Sequence, residues 1–122
     1  MYKSIHKYIK TITALSMLVM VFAFFQPEKS NTIKVFTAED LQTALNNATP
    51  GTTIELGENI FIGKFVVKPG INGTAQKPIV LTGTKNSILQ TKESNSGYAL
   101  WLQGNQYWQI KNLTIQNSKK AL

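Results

Sequence analysis

The sequence predicts an all-β chain folded as a parallel β-helix, a solenoid of short stacked strands, with one amphipathic helix over its first coil. Three observations predict it. After Gly51 the chain breaks into pieces of three or four residues, rich in β-branched and aromatic side chains and separated by Gly, Asn, Lys and Thr. Such pieces suit strands and are too short for helices. The pieces also recur: "IEL" at 54–56 superposes on "IVL" at 79–81 with a shift of 25, and "IVL" on "LWL" at 100–102 with a shift of 21. Helical spacing of apolar residues is clearest in one stretch ahead of them. A repeat of roughly twenty to twenty-five residues with two or three strands marks units that stack, each strand pairing with its counterpart one coil on.

The first 25 residues read as a leader. Lys3, Lys7 and Lys10 precede the uncharged run "TITALSMLVMVFAFF", the layout of a secretory signal peptide and short for a full membrane span. Val21 and Ala23 supply a V-x-A cleavage pattern; the alternative is an uncleaved amino-terminal anchor starting near Ile9. Either way the remainder is exported, to the periplasm, the cell surface or the medium. The lysine-rich, arginine-free composition reads as bacterial. Residues 26–35 read as a linker into a first short strand, and 36–122 as the cap and first coils.

Thr37 is placed to cap the helix, with Asp40 three residues on as an approximate capping box and Phe36 stapling onto Leu41. Leu41, Ala44, Leu45 and Ala48 form one apolar stripe, with Gln42, Thr43, Asn46 and Asn47 facing elsewhere, and "TPG" at 49–51 ends the helix. The first coil of a solenoid exposes unpaired backbone, and this helix is expected to cover it. The expected strands lie at 53–56, 64–68, 78–83, 87–90, 98–104 and 107–118. In the expected register "IEL", "IVL" and "LWL" stack inside, their middle residues Glu55, Val80 and Trp101 point outward, and Gly83 falls over Gly104. A sandwich of hairpins is the plainer rival, but the one "NG", at 72–73, sits in a longer connection. Nothing after Ile115 reads as a cap and "SKKAL" enters a further coil, so the chain is expected to be the amino-terminal part of a longer protein.

Composition removes much chemistry. There is no cysteine, the one histidine is His6 in the leader, and all 13 basic residues are lysines. The exported part therefore has no Ser-His-Asp or Cys-His nucleophile, no zinc site of the usual kind and no guanidinium clamp. The formal charge is +7, and losing the leader leaves ten lysines against six acids. An exported chain without arginine does not fit nucleic acid. An acidic polysaccharide is the natural partner outside a cell, with scattered solubilising lysines as the plainer alternative. No stable membrane association is expected once the signal is cleaved, and the oligomeric state is left open.

The order of cap helix, "ATPGTTIEL", "GKFVVKPGINGTAQKPIVLTG" and "YALWLQGNQYWQIKNLTIQNS" resembles the start of extracellular right-handed parallel β-helix proteins of the pectate-lyase-like superfamily. The resemblance is nearest to polysaccharide lyases of the chondroitinase B, alginate lyase and coil-repeating pectate lyase type, and covers residues 38–122. Thr52 departs from it, standing where relatives usually carry Asp. The resemblance implies β-elimination on a uronate polysaccharide: a base removes the proton next to the carboxylate, and a positive group or calcium acidifies that proton. In such relatives these groups sit on later coils, so no catalytic residue and no metal ligand carries over to this chain. The same solenoid also serves non-catalytic surface proteins, which leaves a glycan-binding adhesin as the alternative.

Two residues are candidates for sugar contact. Trp101 points outward between Leu100 and Leu102, where it stacks on a sugar ring or packs under a loop. Tyr107 stands at a turn, with Trp108 inside beside Ile110. Glu55, Glu58 and Glu93 fall on different turns and form no calcium-type cluster. Lys64, Lys68, Lys85, Lys92 and Lys111 form either a basic face for a polyanion or dispersed surface charge. Asn95, Asn105, Asn112 and Asn117 recur at turns, where Asn tolerates left-handed backbone.

Overall fold

The structure is a computed structural model that describes residues 31–93 and 97–117. The expected leader, Asn95 and "SKKAL" lie outside the described residues. Along the chain run β1 (Asn31–Val35), α1 (Ala38–Asn47), β2 (Thr52–Leu56), β3 (Ile60–Ile62), β4 (Phe65–Val67), β5 (Ile79–Thr82), β6 (Ile88–Gln90), β7 (Leu100–Leu102), β8 (Trp108–Lys111) and β9 (Thr114–Gln116). The strands form three sheets in the orders β1-β2-β5-β8, β3-β6-β9 and β4-β7. Every pairing is parallel. Successive strands of one coil enter different sheets and meet their partners one coil later, which is the parallel β-helix the sequence predicts.

The register differs from the expected one. Ile54 pairs with Leu81, a shift of 27, and Leu81 with Ile110. "LWL" is not in that sheet at all: Phe65 pairs with Leu100 and Val66 with Trp101. The interior column is therefore Ile33, Ile54, Leu81 and Ile110, and the outer neighbour of Trp101 is Val66 rather than Val80. Connection length is the reason. Two residues separate β3 from β4, but nine separate β6 from β7, so no single period fits all three sheets. Apolar triplets are interchangeable as patterns; the connections decide which sheet each one enters.

The sequence reading foresaw one short strand at the end of the linker, without bounds, and missed another altogether. Residues 31–35, inside the expected linker, form β1 on the outer edge of the largest sheet. "IFI" forms β3, with Phe61 buried at 1% exposure and Ile60 and Ile62 exposed at 49% and 50%. Apolar residues on both of its faces hide the alternation that marks a strand.

Helix α1 forms as its sequence dictates. Thr37 Oγ1 accepts from the Asp40 amide at 3.1 Å, and Leu41, Ala44 and Leu45 are buried. The Phe36 ring lies over Gly57, where a Cβ would stand 2.5 Å from it. The helix packs on β1, β2 and β4. Gln42, expected to face elsewhere, turns to β4: its Nε2 donates to Val66 O at 2.9 Å, and its Oε1 accepts from Val66 N at 3.1 Å. One side-chain amide thus satisfies the two backbone groups that a strand of a preceding coil would otherwise pair.

Val35, Ile54, Leu56, Phe61, Phe65, Val67, Ile79, Leu81, Leu89 and Leu100 fill the interior, joined by the helix stripe. Each such burial is worth about 1.5–3 kcal/mol against exposure. Leu102, Trp108, Ile110, Leu113 and Ile115 pack against this core but are only partly buried. Asn112 and Asn117 take left-handed backbone, φ 57° and 53°, as expected of Asn at corners; Asn112 divides β8 from β9.

Candidate functional site

The β4–β7 pair presents the two aromatic rings that stack on the outer surface. Alternation along β7 buries Leu100 and leaves Trp101 47% exposed, the outward direction its position predicts. Tyr98 stacks on it, ring centroids 5.8 Å apart and planes inclined by 19°. Residues three apart would face opposite ways on a straight strand. Here Ala99 and Leu100 are both fully buried, and that break in alternation brings Tyr98 to the same outer side as Trp101. Ala99 is fixed by its carbonyl, which accepts from Phe65 N at 2.9 Å.

Lys64, exposed, precedes β4 on the same side as Val66. A Cβ placed on Gly97 would come 3.6 Å from Lys64 Nζ, so the ammonium lies beside the backbone that leads into Tyr98. Gly97 itself has φ +73°, a conformation that glycine adopts without strain. Lys64, Tyr98 and Trp101 thus form one outer surface, carried by paired strands. Sequence reasoning named Trp101 and Lys64 but not Tyr98. An aromatic three residues before Trp101, directly after a glycine, was the available signal.

Tyr107 belongs elsewhere. It is 54% exposed with φ 57°, at the corner before β8, and its carbonyl accepts from Ile79 N at 2.9 Å. The stacked partner of Trp101 is Tyr98, not Tyr107. This corner is locked to the 68–73 connection. Asn105 Nδ2 donates to Lys68 O and Ile71 O at 2.8 and 2.9 Å, and Trp108 Nε1 donates to Ile71 O at 2.8 Å. Gly73 N donates to Gln106 O at 3.0 Å. Trp108 is partly buried, as expected, so the structure divides the two neighbouring aromatics into a corner residue and an inner one.

The lysines are dispersed. Lys111 lies in the outer column Lys34–Glu55–Thr82–Lys111 of the largest sheet. Lys85 lies in the β5–β6 corner, where its carbonyl accepts from Thr114 Oγ1 at 2.7 Å, and Lys92 follows β6. The carboxylates also lie apart: Glu55 is on β2, Glu58 accepts from Thr84 Oγ1 at 3.0 Å, and Glu93 follows β6. Among the described residues no three His, Cys, Asp or Glu side chains come together to hold a metal ion. A groove of about 380 Å³ runs between β1 and α1, lined by Lys34, Asp40, Thr43 and Asn47 with Ile33, Val35 and Ala44. One cation and one anion there make no convergent charge.

No protein-family profile and no curated protein sequence matches this chain. Solved structures do. An alginate lyase from Paenibacillus sp. str. FPU-7 superposes with a TM-score of 0.61 and 32% identity, over 71% of this chain and 33% of the lyase. The PL6 family alginate lyase AlyGC superposes with a TM-score of 0.55 and 24% identity, over 71% of this chain and 11% of that one. The chain spans about a third of the first lyase and about a ninth of the second. Its scaffold is a parallel β-helix like that of these polysaccharide lyases.

Proposed function

We propose that this chain is the amino-terminal part of an exported polysaccharide lyase that acts on an acidic, uronate-containing polymer by β-elimination. The observation that carries this reading is the superposition of 71% of this chain on an alginate lyase at 32% identity. The leader-like first 25 residues support export. β-Elimination requires a base at the proton beside the uronate carboxylate and a positive charge to stabilise the developing carbanion. Residues 31–117 contain neither histidine nor arginine, and their lysines are dispersed. In this reading they supply scaffold and a sugar-facing surface, while base and charge come from coils outside them.

Incubating the protein expressed from its complete reading frame with alginate, pectate and chondroitin tests this. Absorbance of an unsaturated product is expected on at least one polymer, and its absence from all three overturns the reading. The Trp101–Tyr98 stack, with its indole exposed, also suits a non-catalytic glycan binder. Retention on a uronate polymer without product would select that alternative.

A further inference from the structure

We propose that the outer face of the β4–β7 pair is a subsite for one uronate ring, with Trp101 as its platform, Tyr98 as the backing of that platform and Lys64 as the carboxylate partner. The assignment rests on the proposed function for the class of polymer; the geometry is the chain's own. An indole 47% exposed on a strand leaves apolar area in water that a covering ligand removes. Tyr98 stacks on Trp101 at 5.8 Å, so the indole orientation is set before any ligand arrives and little side-chain freedom is lost on binding. A pyranose ring offers the complement: an apolar C–H face for an aromatic ring and polar groups at its edge.

Charge selects among sugars. Lys64 Nζ lies beside Gly97, next to Tyr98, so the platform has a cation at its margin. The acidic side chains of the described residues lie on other elements: Glu39 and Asp40 in the first turn of α1, Glu55 on β2, Glu58 before β3 and Glu93 after β6. A ring carrying a carboxylate is therefore preferred over a neutral one, the ammonium acting as a point charge with rotatable donors. The strands beneath are fixed by the Val66–Trp101 pairing and by Gln42 on the free edge of β4. This makes the surface a preformed platform rather than a loop that must order. Tyr107, at its separate corner, takes no part.

Three variants of the complete protein test the assignment: W101A, W101F and K64Q, with Q109A on β8 as a control from another sheet. The probes are an alginate tetrasaccharide and a neutral mannan tetrasaccharide, followed by tryptophan fluorescence and calorimetry. W101A should weaken alginate-tetrasaccharide binding roughly three- to ten-fold, with W101F recovering most of it. K64Q should weaken it about two- to five-fold at low salt and hardly at all at high salt. The neutral probe should bind more weakly to the unmodified protein and be indifferent to K64Q. In turnover, W101A should raise KM with little change in kcat, as for a binding group remote from the reacting bond.

Cleavage of a uronate polymer with W101A unchanged in affinity and KM would overturn the subsite and leave the proposed lyase standing. Trp101-dependent binding of the alginate probe without cleavage of any polymer would uphold the subsite and overturn the lyase. Sedimentation showing that W101A converts a dimer into a monomer, with sugar binding unaltered, would make the face an interface between copies and overturn the assignment.

Discussion

Gln42 occupies a position that a helical wheel assigns to the polar side, yet its amide does the work of a neighbouring strand. It gives and takes one hydrogen bond with the backbone of Val66 and donates a further one to Asn46 Oδ1 at 3.0 Å. Q42A should destabilise the protein by about 1–3 kcal/mol, because two partly buried backbone groups lose their partners. A urea midpoint lowered with little change in slope would confirm it, and an unchanged midpoint would refute it. No feature of the sequence announces this role, since it depends on which edge lies opposite the helix. The N-cap at Thr37 was legible because its signal is entirely local. Trp101 was legible for the same reason: its outward direction follows from its two leucine neighbours and is independent of which strand lies alongside.

At the scale of elements, the corner before β8 is held to the 68–73 connection through backbone that cannot yield. A Cβ on Gly73 would stand 2.5 Å from Tyr107 O, 2.8 Å from Ile79 N and 2.9 Å from Pro78 Cα. All three are backbone atoms of the chain that sets β5 and β8 side by side. G73A is expected to cost about 1–3 kcal/mol, seen as a lower thermal midpoint; a variant as stable as the parent would contradict the packing. Strand placement was legible for all but β3, with β1 foreseen without bounds and β8 and β9 read as one segment, because β-branched and aromatic triplets bounded by turn residues are local signals. Pairing was less so. The step from β2 to β5 was misjudged by two residues, which preserves the faces since side chains alternate with a period of two. The assignment of "LWL" to that column failed because the longer β6–β7 connection carries it to another sheet.

For the whole molecule, each coil is braced by its neighbours rather than by a central core of distant contacts. Leu81, fully buried, stands between Ile54 and Ile110 in the interior column. L81A should remove about 2–5 kcal/mol, and hydrogen exchange should show lost protection in β2 and β8 together, on both sides of the cavity. Loss confined to β5 would argue against stacked coupling. The candidate surface obeys the same logic at larger scale. Its two rings come from one strand and the bend before it, its cation from the residue just ahead of the paired strand of the preceding coil. Only Trp101 and Lys64 were named from sequence, and their proximity awaited the pairing of β4 with β7.

The outer column of the largest sheet runs Lys34, Glu55, Thr82, Lys111. Within the chain an acid and a neutral hydroxyl separate the two ammonium groups. Were these coils expressed without the ones that follow them in the proposed lyase, so that β8 met the β1 edge of a second copy with Ile110 seated on Ile33, Lys111 would come directly against Lys34. Like charges facing each other on adjacent strands oppose that union, so head-to-tail growth into filaments carries an electrostatic penalty that would fade as ionic strength rises.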